Sequence, residues 1–99
     1  MATFLLIHGG GYVSQHWSRL RQELERLGHQ TVAPDVPMDD VGAGAGDWSD
    51  VALDAIDGTP PEEVVVVGHS LAGLCLPVIG SRGSFRRMVF VCAIVPMPG

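Results

Sequence analysis

One stretch decides the fold expected for this chain: Val64-Val65-Val66-Val67-Gly68-His69-Ser70-Leu71-Ala72-Gly73. A run of four valines is typical of a strand that is buried on both faces of a parallel sheet. Small residues two positions before and after Ser70 permit the crowded backbone of a sharp turn from a strand into a helix. Such a turn holds the hydroxyl of Ser70 beyond the end of the strand, so Ser70 is the candidate nucleophile.

Strands and helices alternate along the rest of the chain. Short apolar runs predict strands at 4–7, 30–34, 63–68 and 87–95. Helical spacing predicts helices from an N-cap at Ser14 to a stop at Gly28, from about 47 to 56, and from 71 to 79, the last kinked or shortened by Pro77. The alternation predicts an α/β fold with a parallel four-stranded sheet and helices on both faces, in a single domain over residues 1–99.

The composition argues against several classes of partner. The net charge is −5 and the six arginines are scattered, with no lysine, which argues against nucleic-acid binding. No apolar stretch is long enough to span a membrane, and the first residues resemble a strand more than a secretory leader, so we expect a cytoplasmic protein with no membrane partner. Cys75 and Cys92 both lie in apolar segments, which favours small buried side chains over a disulfide.

A serine nucleophile needs a base to take its proton and donors to hold the oxyanion. The N–H of Leu71, the residue after the serine, would point at that oxyanion. Gly9, Gly10 and Gly11 follow His8 at the end of the first strand, and consecutive glycines let the N–H of Gly9 or Gly10 turn inward. By itself such a run is more often a tight loop without a ligand; beside the serine turn, we expect it to form the second half of an oxyanion hole.

No cofactor and no metal site are expected. The glycine-rich loop at 41–46 does not lie between a strand and a helix in the order that a dinucleotide fingerprint requires. Four aspartates nearby have no partner at metal-ligand spacing, and we expect them to face water. These are Asp39, Asp40, Asp47 and Asp50.

The chain resembles the α/β-hydrolase superfamily, in particular its small esterase and hydroxynitrile-lyase-like branch. The residues that carry the resemblance are Phe4 to Gly9, Trp17, Leu20, Asp35 and Val67 to Gly73. Ala72 stands where the motif prefers glycine, a small change. Members of the superfamily are well over twice as long and resemble this chain only in their N-terminal part, with a triad acid and histidine that come after the serine. From Leu71 to Gly99 the chain has no Asp, Glu or His.

The resemblance implies a spatial strand order of two, one, three, four, with a ligand crevice between strands one and three. It implies that Ser70 is the nucleophile, that Leu71 with Gly9 or Gly10 forms the oxyanion hole, and that His8 is structural. The remaining residues of the turn would then shape the elbow around the serine: Gly68, His69, Ala72 and Gly73. Asp35 would be a carboxylate that orders a loop.

The histidines are expected to be structural. His8 would hold the end of the first strand, His69 would point away from the nucleophile, and His16 and His29 lie at the ends of the first helix. His16 lies nearest to the mouth of the expected cleft. The implied function is a serine hydrolase of ester-type small molecules through an acyl-enzyme, or related acyl or cyanohydrin chemistry, with the acid and base supplied from elsewhere. The alternative is a catalytically silent hydrolase fold that binds a ligand or a partner.

The strand at 87–95 is apolar on both faces and has no later strand beside it in this sequence. An unpaired apolar edge is costly to expose to water. We therefore expect it to pair with the same strand of a second copy, as a symmetric dimer, or with a complementing C-terminal chain.

Overall fold

The sheet is parallel and has the predicted strand order. The computed structural model describes residues 2–10 and 14–93. The strands β1 (Thr3–Ile7), β2 (Gln30–Val32), β3 (Val64–His69) and β4 (Arg87–Val91) lie side by side in the order β2-β1-β3-β4. Each neighbouring pair is parallel. This confirms the α/β class and places β1 and β3 in the centre.

The last strand is shorter than predicted. β4 ends at Val91, because Cys92 has a φ of 45°, which is outside the extended region. The prediction of strand structure is therefore wrong for Cys92 and Ala93, and residues 94–95 lie outside the described residues. Cys92 is also exposed rather than buried, because it follows the exposed edge strand, whereas Cys75 is buried as expected; both thiols are free.

The first two helices begin differently from the prediction. A 3₁₀ turn at Ser14–Trp17 leads into α1 (Ser18–Arg26), and Trp17 rather than Ser14 occupies its N-cap position. The N-cap assignment of Ser14 is wrong because α1 begins at Ser18, and both the backbone N–H of Ser14, at 2.8 Å, and its hydroxyl bond to the carboxylate of Asp35. Helix α2 (Ala45–Ala55) starts earlier than expected, with the carboxylate of Asp47 accepting from the N–H of Gly44 at 2.9 Å.

The third predicted helix is divided into two short pieces. A 3₁₀ turn at Ser70–Leu74 is followed by α3 (Leu76–Gly80). Pro77 lies in the first turn of α3, where its missing N–H would have had no partner in the helix. An α-helix that began at residue 71 would have needed the N–H of residue 77, so α3 begins just before Pro77 and is shorter than predicted. Shortening was one of the two predicted outcomes.

The two faces of the sheet are covered unequally. On one, here called the two-helix face, α2 and α3 pack against the sheet around buried residues that include Leu5, Val66 and Leu76. On the other, the one-helix face, the buried cluster consists of Ala2, Leu6, Val65 and Val67. Helix α1 lies on this face mainly against β2, and none of its residues is fully buried. Helices therefore do lie on both faces, but the one-helix face is open towards β4.

None of the helices within 2–10 and 14–93 is long and apolar enough to cross a membrane.

Candidate active site

Ser70 has a strained backbone at the point where β3 ends. Its φ is 55°, in the left-handed region that a serine rarely adopts. Holding a residue in such a conformation costs about 1–3 kcal/mol and persists only where the surroundings enforce it. The strand turns here directly into the 3₁₀ turn that begins at Ser70. Ser70 is half-buried, so it lies at the surface of the fold rather than in a core.

Small residues around Ser70 are required by close packing. A Cβ atom on Gly68 would lie 2.7 Å from Cδ1 of Leu76 and 3.3 Å from the carbonyl oxygen of Ala72. Leu76 and Ala72 are both fully buried, so neither has space to move away. Gly73 is buried as well. The spacing of small residues around the serine therefore has a steric cause.

The glycine loop after β1 lies against this turn. A Cβ atom on Gly9 would lie 3.1 Å from Cβ of Ser70, and one on Gly10 would lie 3.0 Å from Cδ2 of Leu71. Ile7 and Gly68 are partners in the β1–β3 ladder, so the two chains leave the sheet at the same level. The structure thus brings together the backbones of Gly9, Gly10, Ser70 and Leu71.

His8 anchors the glycine loop. Its side chain is buried, with Nδ1 2.9 Å from the carbonyl oxygen of Gly9, and the backbone N–H of Val36 donates to Nε2 at 3.0 Å. Because Nε2 accepts, we assign the ring proton to Nδ1, which donates to Gly9. Both ring nitrogens are therefore occupied by structural hydrogen bonds, and His8 is not available as a base.

Asp35 and His29 also have structural partners. The hydrogen bond from the backbone N–H of Ser14 lowers the pKa of Asp35, with smaller contributions from the hydroxyl of Ser14 and from His8. Asp35 thus ties the segment after β2 to the start of the first helical segment, as a loop-ordering carboxylate would. Nδ1 of His29 accepts from the N–H of Ala2 at 3.1 Å, and its ring lies edge-on to Phe4.

A cleft of ≈ 200 Å³ lies beside Gly9 on the one-helix face, at the carboxyl ends of β1 and β3, where the resemblance implies a ligand crevice. The ring of His69 lies edge-on to Trp17, with 6.2 Å between ring centroids. Alternate side chains of a strand point to the same face, so the positions of Val65 and Val67 along β3 could have placed His69 on the one-helix face. Nδ1 of His69 would lie 3.0 Å from a Cβ on Gly9. The described residues that line the cleft are His8, Gly9, His16, Trp17 and His69.

The acidic residues do not form a metal centre. Within 2–10 and 14–93, no group of three or more His, Cys, Asp or Glu side chains could hold a metal ion. The aspartates of the 39–50 region are exposed, as predicted, and Asp50 forms an ion pair with Arg82 across α2 and the end of α3.

The interior thiol is chemically quiet. Burial raises the pKa of Cys75 to about 11, although a hydrogen bond with Ser49 opposes the shift. Ser49 is fully buried, and its hydroxyl donates to the carbonyl oxygen of Ala45 at 2.7 Å. This pair joins α2 to the segment before α3, and the sequence analysis did not single out Ser49.

The sequence matches the model of the alpha/beta hydrolase family over residues 4–99. It is 33% identical over 107 residues to the probable esterase PIR7A of Oryza sativa, an alignment that covers 97% of this chain and 40% of that protein. Polyneuridine aldehyde esterase of Rauvolfia serpentina is 29% identical over 106 residues, with 96% and 40% covered. The chain spans about two fifths of the length of these relatives.

Solved structures agree with the sequence relatives. A crystal structure of polyneuridine aldehyde esterase superposes with a TM-score of 0.82 at 29% identity, over 97% of this chain and 42% of that one. An extracellular alpha/beta-hydrolase from a Paenibacillus species superposes with a TM-score of 0.84 over 100% of this chain and 43% of its own. At 24% identity, the second likeness shows the fold alone.

Proposed function

The chain belongs to the alpha/beta hydrolase family, and we propose that it is the N-terminal part of a serine esterase and supplies the nucleophile of that enzyme. Its esterase relatives support a hydrolase of ester-type small molecules at the level of the family. The observation that carries the proposal is the strained backbone of Ser70, with a φ of 55°, packed against the glycine loop of the neighbouring strand.

The proposed reaction is acyl transfer. Oγ of Ser70 attacks the ester carbonyl while a general base takes its proton, which forms a tetrahedral intermediate. The intermediate collapses as the C–O bond to the alcohol breaks, and the base gives the proton to the leaving alcohol. The N–H of Leu71, together with that of Gly10 or Gly9, holds the negative oxygen of that intermediate. Water then attacks the acyl-enzyme and releases the carboxylic acid and free Ser70.

His8 does not supply the general base in this proposal. His8 is committed to hydrogen bonds with Gly9 and Val36, and no Asp, Glu or His follows Ser70 in this sequence. We propose that a histidine and an acid from a C-terminal part, in the same longer protein or in a second chain, complete the triad. The same two observations favour a second candidate function, a silent hydrolase fold that binds a small ligand or a partner.

A chimera separates the two candidates. Residues 1–99 replace the aligned portion of the rice esterase, and hydrolysis of p-nitrophenyl acetate is measured. We expect turnover by the chimera and a loss of about 10⁴-fold or more in kcat with Ser70→Ala, because the nucleophile, base and acid act as a unit. Circular dichroism of both chimeras shows whether each is folded.

The 99-residue chain by itself is the matched control. We expect it to retain at most the ~10³–10⁴-fold advantage over water that an oxyanion hole and binding give without a base. A folded chimera that is inactive with Ser70 intact would favour the silent fold. Strong turnover by the chain alone that disappears with Ser70→Ala would mean that a base lies within these residues, with His16 and His69 the first to test.

A further inference from the structure

The ring of His8 connects the loop after β2 to the glycine loop after β1. The N–H of Val36 donates to Nε2 at 3.0 Å, and Nδ1 lies 2.9 Å from the carbonyl oxygen of Gly9. A carbonyl only accepts and a backbone N–H only donates, so these two contacts admit one position of the ring proton, on Nδ1. Because His8 is only 4% exposed, it is a buried donor to Gly9.

The hydrogen bond to Gly9 sets the direction of the next backbone N–H. The peptide between Gly9 and Gly10 is trans, and in a trans peptide the C=O and the N–H point in opposite directions. The carbonyl of Gly9 points at the ring of His8, which in turn contacts Val36 on the β2 side of β1. The N–H of Gly10 therefore points away from β2 and towards β3.

Gly10 lies beside Leu71 on that side of the loop. A Cβ atom on Gly10 would lie 3.0 Å from Cδ2 and 3.6 Å from Cβ of Leu71. Among the residues that the structure describes, neither of the two backbone N–H groups has a hydrogen-bond partner. Neighbouring backbone donors without partners are typical of a site for a negative oxygen. The N–H of Gly9 belongs to the preceding peptide, which the bond from His8 does not orient.

We propose that His8 is a positioning residue for the oxyanion hole: its Nδ1–H holds the carbonyl of Gly9 and so directs the N–H of Gly10 at the oxyanion that forms when Ser70 attacks. This role rests on the proposed function, and it selects Gly10 rather than Gly9 as the donor that acts with Leu71. Hydrogen bonds in a chain polarise one another, so the bond from His8 also strengthens the donor of Gly10. His8 acts through the peptide and needs no contact with the substrate.

The loop after β2 supports this role of His8. Val36 is buried and precedes Pro37, which restricts Val36 to extended conformations. The N–H that fixes the ring of His8 is therefore itself held in place. The neighbouring Asp35 accepts from the N–H of Ser14 on the far side of the glycine loop. Two adjacent residues thus hold the glycine loop at both of its ends.

Two substitutions separate the two contacts of the ring. In the chimera with the rice esterase, His8→Asn keeps an amide N–H near the position of Nδ1, and His8→Gln keeps an amide oxygen near the position of Nε2. Each variant loses one buried hydrogen bond, so we expect similar losses of thermal stability. We expect kcat to fall by about 10–100-fold in His8→Gln, with little change in KM, and by about 3-fold or less in His8→Asn, since outright removal of an oxyanion donor costs about 10²–10³-fold.

A thiocarbonyl substrate shows whether the loss arises at the oxyanion. Sulfur is a weak hydrogen-bond acceptor, so the ratio of the rates for p-nitrophenyl acetate and its thionoester analogue reports the oxyanion donors. We expect this ratio to fall in His8→Gln. It should be unchanged in the control His29→Gln, which removes a structural hydrogen bond between a histidine and Ala2 at the far end of β1.

The outcomes distinguish this role from the proposed function. An active chimera whose two His8 variants are folded and lose kcat equally, or whose rate ratio is unchanged in His8→Gln, would overturn the role of His8 and leave the proposed function standing. A folded but inactive unmodified chimera would overturn the proposed function and this role with it. Circular dichroism shows whether each variant is folded.

Discussion

β3 and β4 have almost the same sequence character and opposite surroundings. Both are apolar on both faces, yet Val66 of β3 is fully buried and Val89 of β4 is 39% exposed. β3 lies between two strands and is covered by helices, whereas β4 pairs with only one strand among the described residues. A continuous apolar run therefore predicts a strand whose side chains favour burial. How far those side chains are buried depends on the strands and helices that pack beside the run.

The turn that carries Ser70 lies at the end of the central strands of the sheet. It follows β3 and leans on the loop after β1, the two central strands. The structural basis of the proposed nucleophile thus lies within the described residues of the two central strands and their loops.

The largest expected effect comes from removing the same side chain in both strands. Val66→Ala removes two methyl groups from a fully buried site and should lower the free energy of unfolding by about 2–3 kcal/mol, from lost transfer energy plus a cavity. Val89→Ala, at the exposed edge, should lower it by about 1 kcal/mol or less. Urea denaturation followed by circular dichroism measures both.

Both valine variants are compared at the same low protein concentration, so that association between molecules adds little to the measured free energy of unfolding. Equal losses for the two variants would mean that β4 is as well covered as β3. The contrast between the buried central strand β3 and the exposed edge strand β4 would then be wrong.

A smaller effect is expected at the serine turn. Gly68→Ala places a Cβ 2.7 Å from Leu76, and the overpacking should cost about 1–3 kcal/mol. Gly46→Ala is the matched control, because a Cβ there has nothing within 4 Å and α2 gains a better helix former. Ala72→Val should behave like Gly68→Ala, since Ala72 is fully buried.

Thermal unfolding of the three variants gives the ranking. If Gly68→Ala and Ala72→Val melt at the temperature of the unmodified chain, the close packing around the serine is absent. Ser70 would then be an ordinary first residue of a helical turn.

The smallest effect concerns acid. The pKa of Asp35 is lowered in the folded state, chiefly by the backbone N–H of Ser14, so its contribution to stability is present above the ordinary carboxyl pKa and is lost as the pH falls through the lowered value. We therefore expect Asp35→Asn to be less stable than the unmodified chain near neutral pH, and the gap to close as the pH falls below about 5. Asp57→Asn, which changes an exposed carboxylate after α2, controls for the loss of one charge. A gap that is independent of pH would contradict the assignment.

Much of the architecture could be predicted from local pattern. The apolar runs identified all four strands, because a central parallel strand needs apolar residues on both faces. The resemblance implied the observed strand order, and the glycines beside Ser70 predicted the contact between the two loops. These features depend on residue types that tolerate few alternatives.

Other features depend on partners that are distant in sequence. Ser14 has the right residue type for an N-cap, but its hydroxyl and its N–H both bond to Asp35, 21 residues away. The early end of β4 at Cys92 reflects a positive φ that no local signal announces for a cysteine. The cleft beside Gly9 is lined by Trp17 and His69, whose rings meet although the two residues are far apart in the sequence.

The positive φ of Ser70 sets heat resistance against reactivity. Glycine and asparagine adopt this conformation more readily than serine does, so replacing Ser70 by either would release backbone strain while deleting the hydroxyl. A library of variants selected only for survival of heating would therefore enrich for changes at this position, and each enriched clone would have discarded the proposed nucleophile. Any engineering of this fold for robustness has to keep Ser70 fixed and draw its gains from elsewhere in the chain.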